Sequence, residues 1–184
     1  MHKYGTNPLS ALALLIGDLG NAAVRAATGL SPQEMAALVL VRNRSGCSVS
    51  WLHERLGLTQ SGAVRLLDRL QGDGLVTRSR TAGRREVSLA ITPSGEALVG
   101  RSTSARSQAI ESLLDGLPAA DRDRLIGLIE RVLSLRGLPR DEGDAACRLC
   151  DWPVCVPGCP VEEADRGDSR ADTRPPSRPH PAGR

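Results

Sequence analysis

Apolar side chains recur every three to four residues in six stretches of this chain and every second residue in two others. Leu12, Leu15, Ile16, Leu19, Ala23 and Val24 predict a helix over Leu9–Ala27, ended by Gly29. Ser31-Pro32-Gln33-Glu34 reads as a helix start, with Ser as the cap, Pro at the first position and Glu at the third. That second helix runs to about Asn43 with Ala37, Leu38, Leu40 and Val41 inward, and Gly46 closes it. Ser48 or Ser50 caps a third helix through Leu56, with Trp51 in the core and His53 and Glu54 toward solvent. Gly57 makes a turn, Thr59 caps a fourth helix ending near Gly72-Asp73-Gly74, and Leu75–Arg80 and Glu86–Ile91 alternate as the strands of a hairpin. Thr92-Pro93-Ser94-Gly95-Glu96 opens a fifth helix to about Leu114, and Pro118 begins a sixth, from Ala119 to Leu135.

The fourth helix and the hairpin carry the chemistry. Ala63, Val64, Leu66, Leu67 and Leu70 form an apolar set expected to face the domain, leaving Gln60, Ser61, Gly62, Arg65 and Arg69 outside. Gln60 and Ser61 stand in the first turn after Thr59, where a helix laid in a major groove meets base edges, and Arg65 follows one turn later. Gly62 is expected to be small so that a DNA backbone can come close. Arg78, Arg80, Arg84 and Arg85 stud the hairpin with no carboxylate among them. Alone, the outer face of the fourth helix reads equally as a solvated surface. Joined to the short third helix, the Gly57 turn and the basic hairpin, it reads as a winged helix-turn-helix. The expected fold is mainly α, with a two-stranded β wing.

Residues 31–95 resemble the MarR family (multiple antibiotic resistance regulators). The resemblance rests on Ser31-Pro32-Gln33, on Leu52…Leu56-Gly57-Leu58, and on Ser61…Val64…Leu67-Asp68-Arg69-Leu70…Gly74-Leu75-Val76…Arg78. It continues through Arg84-Arg85-Glu86-Val87-Ser88-Leu89-Ala90-Ile91-Thr92 and Gly95. With the flanking helices it covers residues 9–136, about seven tenths of the chain. It implies a homodimer built from the first, fifth and sixth helices, with Val132, Leu133 and Leu135 at the seam and two recognition helices in successive major grooves. It implies that Asp68 pairs with an arginine at the base of the wing and that Arg85 takes the place of the family's minor-groove arginine. Gly83 stands where the family has the aspartate that orients that arginine, so this chain departs from the pattern there.

Composition bounds the remaining choices. Two Trp, one Tyr and no Phe provide no stacking platform for single-stranded nucleic acid. The net charge of +3 is too small to identify a polyanion partner, so the distribution of arginines matters more than their sum. The start, Met1 to Pro8, shows no long apolar region with a cleavage site. The unbroken apolar run Ala11–Ile16 falls short of the ~20 residues of a membrane span. A cytoplasmic protein without a membrane partner is therefore expected.

In that reducing compartment Cys147, Cys150, Cys155 and Cys159, spaced C-x2-C-x4-C-x3-C and followed by Pro160, read as metal ligands or as a thiol switch. Zinc and an iron–sulfur cluster both accept four thiolates. Zinc ribbons pair two C-x2-C knuckles where this chain has one, and ferredoxins keep two residues where Asp151–Val154 supplies four. Cys47 stands apart at a turn and is expected to be structural or incidental.

The predicted organisation is an N-terminal dimerisation helix over 1–30, a DNA-binding winged domain over 31–95 and dimerisation helices over 96–137. A cysteine-rich segment over 138–163 and a disordered Pro- and Arg-rich tail over 164–184 follow. The expected function is a sequence-specific regulator of transcription that binds double-stranded DNA as a homodimer, a repressor by family analogy. The sequence leaves room for a small-molecule or redox effector acting through the cysteines. The alternative is a small redox or electron-transfer protein whose cysteine segment works while the winged helix docks it. An enzyme is not expected: there is no phosphate loop, no Ser/His/Asp set and no paired carboxylate motif, and the three histidines are scattered.

Overall fold

The computed structural model describes residues 5–80, 87–155 and 159–161. Its elements are α1 (Asn7–Thr28), α2 (Pro32–Asn43), α3 (Val49–Arg55), α4 (Gln60–Gly72), β1 (Val76–Arg80), β2 (Val87–Ile91), α5 (Pro93–Glu111), α6 (Ala119–Arg136), α7 (Arg140–Ala146) and α8 (Trp152–Cys155). A 3-10 turn, Ser112–Leu114, extends α5. The mainly α fold with one antiparallel hairpin agrees with the sequence reading, and the six predicted helices lie within a few residues of their expected bounds. The tail beyond residue 163 lies outside the described residues.

Local chemistry explains the helix starts. Ser31, Ser48, Thr59 and Thr92 each accept a backbone N–H from the first turn that follows, satisfying one of the donors a helix leaves unpaired. At Ser31 the arrangement is reciprocal: the Glu34 carboxylate accepts from the Ser31 backbone N–H at 2.9 Å and from its hydroxyl at 2.7 Å. Glu34 also receives Arg69 Nε at 3.2 Å, which fastens the start of α2 to α4. Burial alone would raise the Glu34 pKa, but the Ser31 bonds and Arg69 outweigh it and hold the carboxyl below its usual range. Its stabilisation is thus complete above the ordinary carboxylate pKa and fades as pH falls through the lowered one.

The core lies between α2, α3, α4, the sheet and the start of α5. Met35 through Val41 are all buried, so α2 is the central helix, enclosed on every side. Leu52, Leu66, Leu67, Leu70, Val76, Leu89 and Val99 close around it, each fully buried Leu or Val contributing about 1.5–3 kcal/mol. The hairpin register pairs Val76 with Ile91 and Arg80 with Val87. A bridge from Ser48 to Ser88 ties the α2–α3 connection to the wing's second strand.

Two sequence expectations change here. Trp51 sits half-buried at the core margin, between the guanidinium of Arg55 at 4.6 Å and that of Arg44 at 5.0 Å, because cationic side chains cover its ring. His53 does not face solvent freely: it is half-buried and its Nδ1 lies 3.2 Å from the Leu58 carbonyl, joining α3 to the turn before α4.

Outside this core the helices are bare. Helix α1 lies along α5 and is long and apolar enough, by composition alone, to cross a membrane. Leu9 and Leu14 on it are exposed, and α6 buries no residue: Leu128, Val132 and Leu135 are 56%, 67% and 77% exposed. Leu133 turns the other way and packs on the cysteine segment.

The root of the wing is tightly built. The Thr92 hydroxyl donates to the Gly74 carbonyl at 2.7 Å while accepting the Gly95 N–H. A Cβ on Gly95 would strike the Leu75 carbonyl oxygen and lie 2.7 Å from Ile91 Cγ1. Gly95→Ala is therefore expected to destabilise the fold by about 1–3 kcal/mol, and a thermal melt should show Tm several degrees lower; an unchanged Tm would contradict this packing.

Candidate nucleic-acid interface and cysteine cavity

Helix α4 is oriented by what it buries. Ala63, Leu66, Leu67 and Leu70 face the core, which leaves Gln60, Ser61, Arg65 and Arg69 exposed, as expected, with Asp68 beside them and Gly62 half-buried. Val64 is a correction: instead of facing the domain, it is 38% exposed and lines a shallow depression with Gln60, Ser61 and Arg65. The signal was present in the spacing. Gln60 and Val64 are four residues apart, as are Ser61 and Arg65, so all four share one face of a helix.

The start of α4 depends on Thr59. Its hydroxyl accepts the Gly62 N–H at 3.1 Å and lies 3.3 Å from the Ser61 hydroxyl. A Cβ on Gly62 would come within 3.1 Å of that same Thr59 oxygen. Gly62 is thus small for a local reason, to clear its own cap, whatever approaches from outside.

The arginines divide by partner. Arg78 Nη1 donates to Asp68 at 2.6 Å and Nη2 to the Val64 carbonyl at 3.3 Å, so Arg78 locks the first wing strand to α4. This is the pairing expected of Asp68, and it leaves Arg78 mainly structural. Arg69 is paired with Glu34 yet 61% exposed. Arg65 is exposed on the same face as Ser61. Arg80 ends β1 opposite Val87. Arg84, Arg85 and Gly83, at the tip of the wing, lie outside the described residues.

The cysteine segment forms two short helices, α7 and α8, that the sequence reading did not anticipate. Cys147, Cys150, Cys155 and Cys159 all line one cavity of about 50 Å³, together with Leu138, Arg140, Gly143, Asp144, Trp152 and Val161. All are in the thiol state, as is Cys47. The Cys147 thiol is bonded to the Cys150 sulfur. That bond, aided by Arg106 and Arg148, brings Cys150 down to about 7 and drives Cys147 up. Among the described residues, no three His, Cys, Asp or Glu side chains are gathered closely enough to hold a single metal ion.

The segment is docked on the winged domain. Asp144, 7% exposed, pairs with Arg55 Nε of α3 at 3.3 Å. Asp151 pairs with Arg42 of α2 at 3.4 Å, and Leu149 packs against the main core. Asp144 and Arg55 are 89 positions apart, and nothing in the local sequence of either announces the other.

Known proteins share this geometry and part of this sequence. Residues 28–85 match the sequence profile of the MarR family. The proteins of this family are DNA-binding regulators and not enzymes. Over 105 residues the chain is 29% identical to a protein of Thauera aromatica assigned as a transcriptional regulatory protein for the hcr operon. That match covers 56% of this chain and 63% of the relative, so the chain spans about three-fifths of the length of the curated protein it matches. The fold is similar to that of RV1404 from Mycobacterium tuberculosis, at 24% identity and TM-score 0.64, over 73% of this chain and 92% of that one. It is also similar to the transcriptional repressor CouR bound to a DNA duplex, at 24% identity and TM-score 0.55, over 72% of this chain and 98% of that one. The matched residues contain α2, α3, α4 and β1.

Burial sets the behaviour of Cys47. It is 6% exposed, and desolvation pushes its thiol up to about 11 despite the nearby Arg44. Near neutral pH it holds almost no thiolate, the form that alkylates. Native protein treated with iodoacetamide and mapped by mass spectrometry should leave Cys47 unmodified until the chain is unfolded; rapid native labelling of Cys47 would contradict this assignment.

Proposed function

We propose that the chain is a sequence-specific, DNA-binding regulator of transcription that acts in the cytoplasm as a homodimer. The observation that carries this reading is the exposed quartet Gln60, Ser61, Val64 and Arg65 on the first two turns of α4. Polar, apolar and cationic side chains on one convex helix face match the edge of a major groove: Arg suits guanine, Gln suits adenine, and Val suits the thymine methyl. Arg78 and Asp68 brace the wing beside that helix, and the family resemblance makes Arg84 and Arg85 the proposed contacts to the flanking backbone or minor groove. The similarity to CouR, which was captured on a duplex, supports the same use of the fold. Family analogy favours repression.

The homodimer is supported by the exposed leucines of α1 and by Leu128, Val132 and Leu135 of α6. Apolar side chains exposed to this extent on long helices call for a partner surface. A second copy supplies one and places two copies of α4 on one side. The cysteine segment is the proposed sensor of redox or metal status, since it is docked on the helix that precedes the reading helix. That docking favours a regulatory over an independent electron-transfer role.

Two experiments test the reading. Binding to the DNA upstream of its own coding region should weaken steeply with salt, and Arg85→Ala should lower affinity for all sequences and reduce the salt slope by about 1. Arg65→Ala or Val64→Ala should instead change which bases are preferred, by about 1–3 kcal/mol at the affected position. No retention of any duplex at low salt would end the proposal. Sedimentation should give a dimer for the native chain, and Val132→Asp with Leu135→Asp should yield monomers with weaker DNA binding; a monomeric native chain would remove the dimer.

A further inference from the structure

Four thiols around one space narrow what that space is for. A lone zinc ion holds its sulfurs at about 2.3 Å, which places them about 3.8 Å from one another with nothing between. Here the Cys147 thiol is hydrogen-bonded to the Cys150 sulfur, and among the described residues no three of the thiols approach a single ion's spacing. Yet all four border the same cavity, and its volume of about 50 Å³ is several times the ~10–15 Å³ that seats one water. The space fits a guest of several atoms. Its other walls are Leu138, Gly143, Trp152 and Val161, with Arg140 and Asp144.

The charges around it fit an assembly whose thiolates leave it net negative, the one carboxylate in the lining, Asp144, being paired with Arg55. Thiols that ligate metal give up their protons, so a four-thiolate site accumulates negative charge. Arg140 lines the cavity, and Arg106 and Arg148 act on the Cys150 sulfur. Arg106 Nε is buried without a hydrogen-bond partner. Gly20 of α1 clears the way for Arg106, since a Cβ there would lie 3.1 Å from Nη1.

We propose that this cavity is the seat of an iron–sulfur cluster ligated by Cys147, Cys150, Cys155 and Cys159, and that Asp144 conveys its occupancy to α3. Asp144 stands on the cavity wall with its carboxylate on Arg55, and Arg55 stacks on Trp51 in the helix directly before the reading helix. Filling or emptying the cavity therefore bears on α3 through one buried ion pair. Ligation needs iron that is at least half ferric, together with inorganic sulfide, and the four thiol protons pass to solvent. The site itself stands apart from the DNA-binding proposal; the coupling to α3 rests on it.

The test uses the full chain purified without oxygen. Iron and acid-labile sulfide are expected in equal molar amounts, with broad visible absorption that dithionite bleaches. Stoichiometric zinc in colourless protein would overturn the cluster. So would protein that stays colourless after oxygen-free incubation with ferrous and ferric iron and sulfide. Cys150→Ser and Cys155→Ser should lose the colour, and Cys47→Ala should keep it. Because a ligand variant can lose the colour by unfolding its segment, the iron and sulfide content of the unaltered chain is the deciding measurement.

For the coupling, cluster-bearing and chelator-stripped protein should differ in duplex affinity by about fivefold or more. Asp144→Asn should retain iron and lose that difference. An undiminished difference in Asp144→Asn would overturn the route through α3. Duplex binding without iron uptake would sink the cluster and leave the regulator standing. Iron uptake without duplex binding would do the reverse.

Discussion

The constraint on which the rest depends is the burial of one side of a thirteen-residue helix. Once Ala63, Leu66, Leu67 and Leu70 enter the core, the helical period has no freedom left, and Gln60, Ser61, Val64 and Arg65 must point outward. Three polar tethers then fix the helix along its length. Thr59 holds its first turn, Glu34 receives Arg69 from α2, and Asp68 receives Arg78 from the wing. Exposed ion pairs of this kind add little stability individually. Their effect is geometric: they set the angle between the reading helix, the helix behind it and the strand beside it.

Much of this was legible because it is local. Caps at Ser31, Thr59 and Thr92 are written within four residues of the helix they start, so the sequence marks them directly. The pairing of Asp68 with the wing followed from family resemblance, and the structure supplies its partner. Val64 was misplaced because hydrophobicity was taken as inwardness, whereas its spacing from Gln60 already put it on the outer face. At Gly62 the structure adds a local constraint to the expected external one, since a Cβ would crowd the Thr59 hydroxyl.

What sequence reasoning missed is mostly long-range. Helices α7 and α8 are four to seven residues long, too short for a hydrophobic period to show. Their attachment depends on Asp144 finding Arg55 and Asp151 finding Arg42, partners about a hundred positions away. The cysteine spacing suggested convergent thiols but carried no information about the surface on which they would dock. The segment is therefore part of the winged domain's exterior and not an appendage trailing from α6.

The close approach at Gly95 has a mechanical consequence. With no side chain to act as a spacer, the first turn of α5 rests on the backbone of the wing's root, and Thr92 bolts the two together. A rotation of α5, the helix along which α1 lies, thus has no slack to take up before it displaces the hairpin. Wing and long helix turn as a single lever.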